Sequence, residues 1–201
     1  MPLANINGIR LFYEINGSGY PLVFCHEFAG DYRSWDLQVG YFSRSYNVIT
    51  YCARGYPPSD VPDAVVDYSQ EQSVDDLKDL LVYLDVDKAH IVGLSMGGNV
   101  ALNFALTYPE MVSSMVLAGT GTGSDEPDAF RKRVVEMSDG MRKGGMDSMA
   151  KYVYGPARVQ LQEKSPKAFN LFREQFMEHS PIGSANTFEG VLSKRPPIFE
   201  L

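Results

Sequence analysis

Short apolar runs and amphipathic stretches alternate along the first part of the chain. Asn7-Gly8 separates Leu3–Ile6 from Ile9–Ile15, and an Asn-Gly pair between apolar-rich runs predicts a β-hairpin, because both residues tolerate the positive φ of a tight turn. A second turn cluster, Asn16 to Gly19, leads into Pro21-Leu22-Val23-Phe24-Cys25. This nearly all-apolar run is expected as a strand buried on both faces. Trp35, Val39 and Phe42 share one face of an expected helix over Ser34–Ser43, and Asn47–Cys52 is expected as another buried strand. Two prolines and a glycine within Arg54-Gly55-Tyr56-Pro57-Pro58-Ser59-Asp60 exclude regular structure there. Ser69 stands three residues before Gln72, the spacing of a capping box. Val74, Leu77, Leu80, Leu81 and Leu84 follow at helical spacing, so a helix is expected over Ser69–Leu84, with Asp75 and Asp76 on its solvated face. Ala89–Leu94 then reads as a strand, Met96–Tyr108 as a helix and Val112–Ala118 as a strand. The alternation predicts an α/β fold: a mostly parallel sheet with helices on both faces, preceded by an antiparallel hairpin.

The pattern changes after Thr120. The composition of Gly119 to Ser124 predicts a link between two units, and Asp125 to Lys194 carries helical patches without a strand signal. The expected organisation is a core over 1–122, a helical cap or lid over 123–195, and the start of a return to the core over 196–201. With 201 residues, 44% hydrophobic and 21% charged, the chain has room for a real core, and a disordered tail or small disulfide scaffold is excluded. A net charge of −7 opposes binding to phosphate backbones, so nucleic acid is not an expected partner. No apolar run reaches the ~18–20 residues of a membrane span, and Met1 to Gly8 lacks the features of a secretory signal. Cys25 and Cys52 each lie in an apolar stretch and are expected as reduced core thiols, which points to the cytoplasm.

Candidate chemistry centres on Gly93-Leu94-Ser95-Met96-Gly97, a G-x-S-x-G sequence followed by Gly98. It ends an expected buried strand and opens an expected helix, the setting a nucleophile elbow requires. Glycines on either side leave space for a sharp turn that lifts the Ser95 hydroxyl clear of the sheet. The helix N-terminus behind it offers backbone N–H groups. His26-Glu27-Phe28-Ala29-Gly30 leaves the carboxyl end of another strand, the edge where ligands gather in parallel sheets. The Phe28 and Met96 N–H groups are therefore the expected oxyanion hole.

His26 with Gly30, the Arg54–Asp60 loop and the Gly93–Gly98 turn, in this order and at these separations, resemble the α/β-hydrolase fold superfamily, in its serine-nucleophile, capped branch. The resemblance extends from about residue 3 to the end of the chain. It implies hydrolysis of a small-molecule ester or related acyl bond without cofactor or metal. In it, Ser95 is the catalytic nucleophile, while His26, Gly30, Gly93, Gly97 and Gly98 support the loops. Ser95 at this position sets the chain apart from family members such as epoxide hydrolases, which carry Asp there. Glu27 departs from the family's usual Gly after the first His, and its carboxylate would oppose negative charge in the site.

A serine needs an adjacent base, and the family supplies acid and histidine on strands that follow the cap, where this sequence ends. Among the three histidines, His26 is expected to hold its loop and His90 lies at the wrong end of its strand. His179, in the cap, is a candidate base, and Asp125 a candidate acid. Arg54 and Asp60 are expected in turn or salt-bridge roles. Three readings stay open: a truncated hydrolase inactive or weakly active at this length, a half-protein completed by another chain, and a non-catalytic ligand-binding module. An uncovered sheet edge is expected to promote self-association.

Overall fold

The computed structural model describes residues 1–121 and 127–194, without the side chains of Pro127 and Ala157. Asp125, the expected boundary at 122/123 and the expected return at 196–201 lie outside the described residues. Strands β1 (Leu3–Ile6) and β2 (Ile9–Asn16) form the hairpin, with Asn7 at φ 44° and Gly8 at φ 76° in its turn. They join β3 (Tyr20–Cys25), β4 (Tyr46–Tyr51), β5 (Ala89–Leu94) and β6 (Val112–Ala118) in one sheet of order β1-β2-β4-β3-β5-β6. The β1/β2 and β2/β4 pairs are antiparallel, whereas β4, β3, β5 and β6 run parallel.

Period-two alternation explains why β3 is apolar throughout. Leu22 and Phe24 face a cluster with Val48, Trp35, Val39 and Phe42 around a tight helical turn, Tyr32–Trp35, and helix α1 (Asp36–Phe42). Val23 and Cys25 face the opposite layer, where α2 (Gln70–Tyr83) and α3 (Met96–Thr107) bring Leu77, Leu80, Leu81, Val100 and Phe104. Cys25 and Cys52 are buried free thiols.

Two expectations about α2 are corrected. The Ser69 hydroxyl accepts from the Gln72 N–H at 3.0 Å, but the Gln72 side chain does not close the box; it donates to Asp76 instead, also at 3.0 Å. Asp76 is not solvated. It is 2% exposed and receives Arg54 Nε and Nη2 at 3.0 and 2.8 Å and Asn7 Nδ2 at 3.0 Å. The hairpin turn and the Arg54 loop cover the first turns of α2, so a carboxylate there meets a guanidinium in place of water. Asp75 accepts from the Tyr108 hydroxyl at 2.8 Å.

Beyond the sheet come α4 (Pro127–Gly144), α5 (Ala150–Val153), α6 (Pro156–Lys164), α7 (Pro166–Met177), α8 (Pro181–Thr187) and a π-helical turn, Phe188–Leu192. Proline in the first turn of α6, α7 and α8 presets helical φ where no N–H partner is needed. Met141, Met149, Phe169, Phe176 and Phe188 from this segment form one apolar cluster with Phe12, Phe28, Tyr56 and Met96 of the sheet unit. Gly183 sits so close to Gly55 that a β-carbon would overlap the Gly55 carbonyl. The Asn186 amide donates to the Pro62 and Asp63 carbonyls at 3.2 and 3.1 Å. At one edge of the sheet, strand β6 leaves Met115, Val116 and Leu117 39%, 55% and 38% exposed.

Candidate active site

Ser95 lies between β5 and α3 with φ 52° and ψ −108°, a conformation that costs a non-glycine residue about 1–3 kcal/mol. The surroundings hold it there. Its N–H donates to the Ala118 carbonyl at 2.8 Å, tying the turn to the end of β6. A β-carbon on Gly93 would overlap the Gly97 backbone, and one on Gly97 would overlap the Cys25 and His26 carbonyls. The glycines thus let α3 begin directly against the end of β3. Register pairs Cys25 with Gly93, so the loop carrying Phe28 and the turn carrying Ser95 leave neighbouring strands at the same edge. The Met96 N–H belongs to the first helical turn, whose donors have no partner within the helix. The Phe28 ring is buried and meets the Phe188 ring edge-on at 4.2 Å between centroids.

The loop after β3 is pinned from within. His26 Nε2 accepts from the Ala53 N–H at 3.0 Å, which fixes the ring proton on Nδ1, and Nδ1 donates to the Glu27 carbonyl at 2.8 Å. Burial pushes the imidazole pKa down, against the weaker opposing effect of the Glu27 carbonyl. Both nitrogens are committed, so His26 has none left for Ser95. Gly30 closes the turn by donating to the Glu27 carbonyl at 3.1 Å. His90 lies near the opposite end of β5, with Nδ1 2.8 Å from the Ser114 hydroxyl. His179 is 5% exposed, and both of its ring nitrogens lack a hydrogen-bond partner. Its ring stands 5.2 Å from that of Tyr56, whose hydroxyl points to the Met96 sulfur at 4.0 Å, so Tyr56 lies between His179 and Met96.

The same loop makes two ion pairs with the helical segment, and a close approach of His179 to Asp31, that sequence reasoning missed. Arg158 Nη2 meets Glu27 at 2.8 Å, Arg33 Nη1 meets Glu178 at 2.6 Å, and His179 Nε2 lies 3.6 Å from Asp31. Asp31 also caps the Tyr32–Trp35 turn and chelates Arg33. Burial alone would raise the Asp31 pKa, but the contacts with His179 and Arg33 hold it well below the usual carboxylate range. No spacing rule links partners so distant in the chain; only the Asp31-x-Arg33 and Glu178-His179 pairs marked polar points in an apolar setting. Arg54 and Asp60 take salt-bridge roles with Asp76 and Arg10. Under the turn, a cavity of about 20 Å³ lined by His26, Arg54, Asp76, Met96 and Gly97 has room for about one water and none for a substrate.

The family described as alpha/beta hydrolase fold matches residues 20–144. The chain belongs to this family. Mouse epoxide hydrolase 3 is 33% identical over 120 residues, which are 59% of this chain and 33% of that protein. The enol-lactonase from Burkholderia xenovorans LB400 superposes with a TM-score of 0.84 at 25% identity, covering 96% of this chain and 74% of that one. A thermophilic esterase from Thermogutta terrifontis (malate bound) gives a TM-score of 0.85 at 26% identity over 97% and 71% of the two chains. The chain spans about a third of the length of the first two curated relatives it matches. Among the described residues no helix is long and apolar enough to cross a membrane, and no group of three or more His, Cys, Asp or Glu side chains is arranged to hold a metal.

Proposed function

We propose that this α/β hydrolase fold chain carries the nucleophile, oxyanion hole and cap of a serine hydrolase acting on a small-molecule ester or related acyl bond. Ser95 Oγ gives its proton to the base and attacks the carbonyl carbon, while the Phe28 and Met96 N–H groups hold the developing oxyanion. The bond to the leaving alcohol breaks as that alcohol takes up the proton, and water then cleaves the acyl-serine to release the acid and restore the hydroxyl. The observation that carries this reading is the strained Ser95 backbone, held by close-packed glycines at the carboxyl edge of a parallel sheet. Strain costs stability and is retained where it positions something. The helices from α4 onward form the cap, and their Met and Phe side chains pack as an apolar cover over Phe28 and Met96. The enol-lactonase and esterase named above support acyl chemistry. A serine elbow favours it over the epoxide opening named for the mouse relative.

We take the base from outside the described residues, on a further segment or another chain, because His26 is committed, His90 is remote and His179 faces Asp31. Those three placements also favour a second reading, a ligand-binding module without turnover. Hydrolysis of p-nitrophenyl acetate separates the two. Turnover abolished by Ser95→Ala supports the hydrolase, and saturable ligand binding with no turnover, with imidazole added as base, supports the module.

A further inference from the structure

Glu27 raises a physical problem for this site. It precedes Phe28, so an acidic side chain is attached to the loop whose N–H would stabilise an oxyanion. A nearby carboxylate works against any negative charge that develops there, and in a water-poor site the penalty is large. The cap answers with a single cation. Arg158, in α6, reaches Glu27 Oε2 through Nη2 at 2.8 Å; the two side chains are 18% and 17% exposed. The guanidinium lies 4.4 Å above the Phe172 ring and 5.9 Å from that of Tyr152, so aromatic faces fix its direction. Burial works against the Arg158 charge, but Glu27 and Tyr152 together leave its pKa raised. Among the described residues no other cation pairs with Glu27.

We propose that Arg158 is a positioning residue for the oxyanion loop: seated with the cap, it cancels the charge of Glu27 so that the Phe28 and Met96 N–H groups accept a negative charge. The inference rests on the oxyanion assignment above and adds a dependence on the cap. A cap lifted off the core takes Arg158 away and leaves Glu27 uncompensated, so anion stabilisation and cap closure are one event. The contacts of Glu178 with Arg33 and of His179 with Asp31 anchor the other end of the same loop to the cap.

A double-mutant cycle tests this. Arg158→Gln, Glu27→Gln and the double variant are compared with the unaltered chain for the rate of fluorophosphonate labelling at Ser95 in imidazole buffer. Arg158→Gln is expected to slow labelling about tenfold, and the double variant to return to within about threefold of the unaltered chain. Arg158→Lys, which keeps the charge, retains most of the rate. A double variant as slow as Arg158→Gln overturns the proposal, because Arg158 would then act through packing or by touching the probe. A second arm does not need the nucleophile. In a Ser95→Ala background, phenylacetate binding is followed at the Phe28 and Met96 amide signals by NMR. The expected order is the same: affinity falls about tenfold in Arg158→Gln and recovers when Glu27→Gln is added. Equal affinities in all variants, or no phenylacetate effect at either amide, overturn the proposal. Labelling that fails throughout while this second arm holds would count against the serine chemistry alone.

Discussion

Replacing Asp76 with Asn removes one charge from the buried network that joins the hairpin turn, the Arg54 loop and α2. Asn keeps the size and one acceptor oxygen, so hydrogen bonds from Asn7 and Gln72 survive in part. The Arg54 guanidinium, however, loses its counter-charge and the Nε bond to Oδ2, where an amide NH2 now faces it, while its side chain is only 8% exposed. Its remaining contacts are neutral acceptors, the Asn oxygen through Nη2 and the Asn7 carbonyl at 3.1 Å. Leaving one member of a buried ion pair uncompensated costs about 3–5 kcal/mol, a large share of the roughly 5–15 kcal/mol that holds a domain folded. At about 2–4 °C per kcal/mol for a chain of this size, the midpoint of thermal unfolding drops by about 6–20 °C. Circular dichroism at pH 7 measures it, with urea unfolding as the independent check. Substituting both members, Arg54→Met with Asp76→Leu, removes charge and counter-charge together and is expected to cost less than Asp76→Asn alone. A midpoint change below about 2 °C for Asp76→Asn is what a solvated helix face would give, and it would refute the network's role.

Other consequences follow from the same coordinates. Asp31 has a folded pKa below its unfolded value of about 3.9, so its contribution to stability is fully present above about pH 4 and is lost as pH falls toward the folded value. Asp31→Asn should therefore destabilise at pH 7, with the difference from the unaltered chain shrinking below about pH 4; a constant difference down to acid pH contradicts this. Burial pushes the Cys25 and Cys52 thiols up to about 12, so Ellman's reagent should find no reactive thiol in the native chain at pH 8 and both after unfolding. Gly183→Ala should lift α8 from Gly55 and destabilise by about 1–3 kcal/mol, and a neutral change in the melt would show that the contact relaxes freely. Exposed Met115, Val116 and Leu117 on edge strand β6 lead us to expect self-association, reduced by Val116→Lys; a monodisperse monomer by light scattering argues against it.

The parallel core was legible because its signals are local. β5 and β6 are apolar runs bounded by turn residues, and their observed limits coincide with the expected ones. The hairpin turn was marked by Asn7-Gly8, and the Ser95 turn by glycines whose spacing is a steric requirement of the strand-to-helix junction. What escaped was charge burial at long range. Asp76 reads as solvated in any helical pattern, because nothing in the window around it announces Arg54, twenty-two residues earlier. Glu27 and Arg158 are 131 positions apart, and their contact exists only because the helices after β6 fold back over the loop after β3. His179 likewise drew notice as one of few histidines, but its neighbour Asp31 became visible only with the fold.

The central proposal is that Ser95 is a nucleophile that no histidine among the described residues reaches, and intact-mass analysis after exposure to a fluorophosphonate tests it most directly, with and without added imidazole. The account predicts slow formation of a single adduct, acceleration by imidazole acting as an external base, and loss of the adduct in Ser95→Ala. No adduct under either condition, or an adduct that persists in Ser95→Ala, would contradict it.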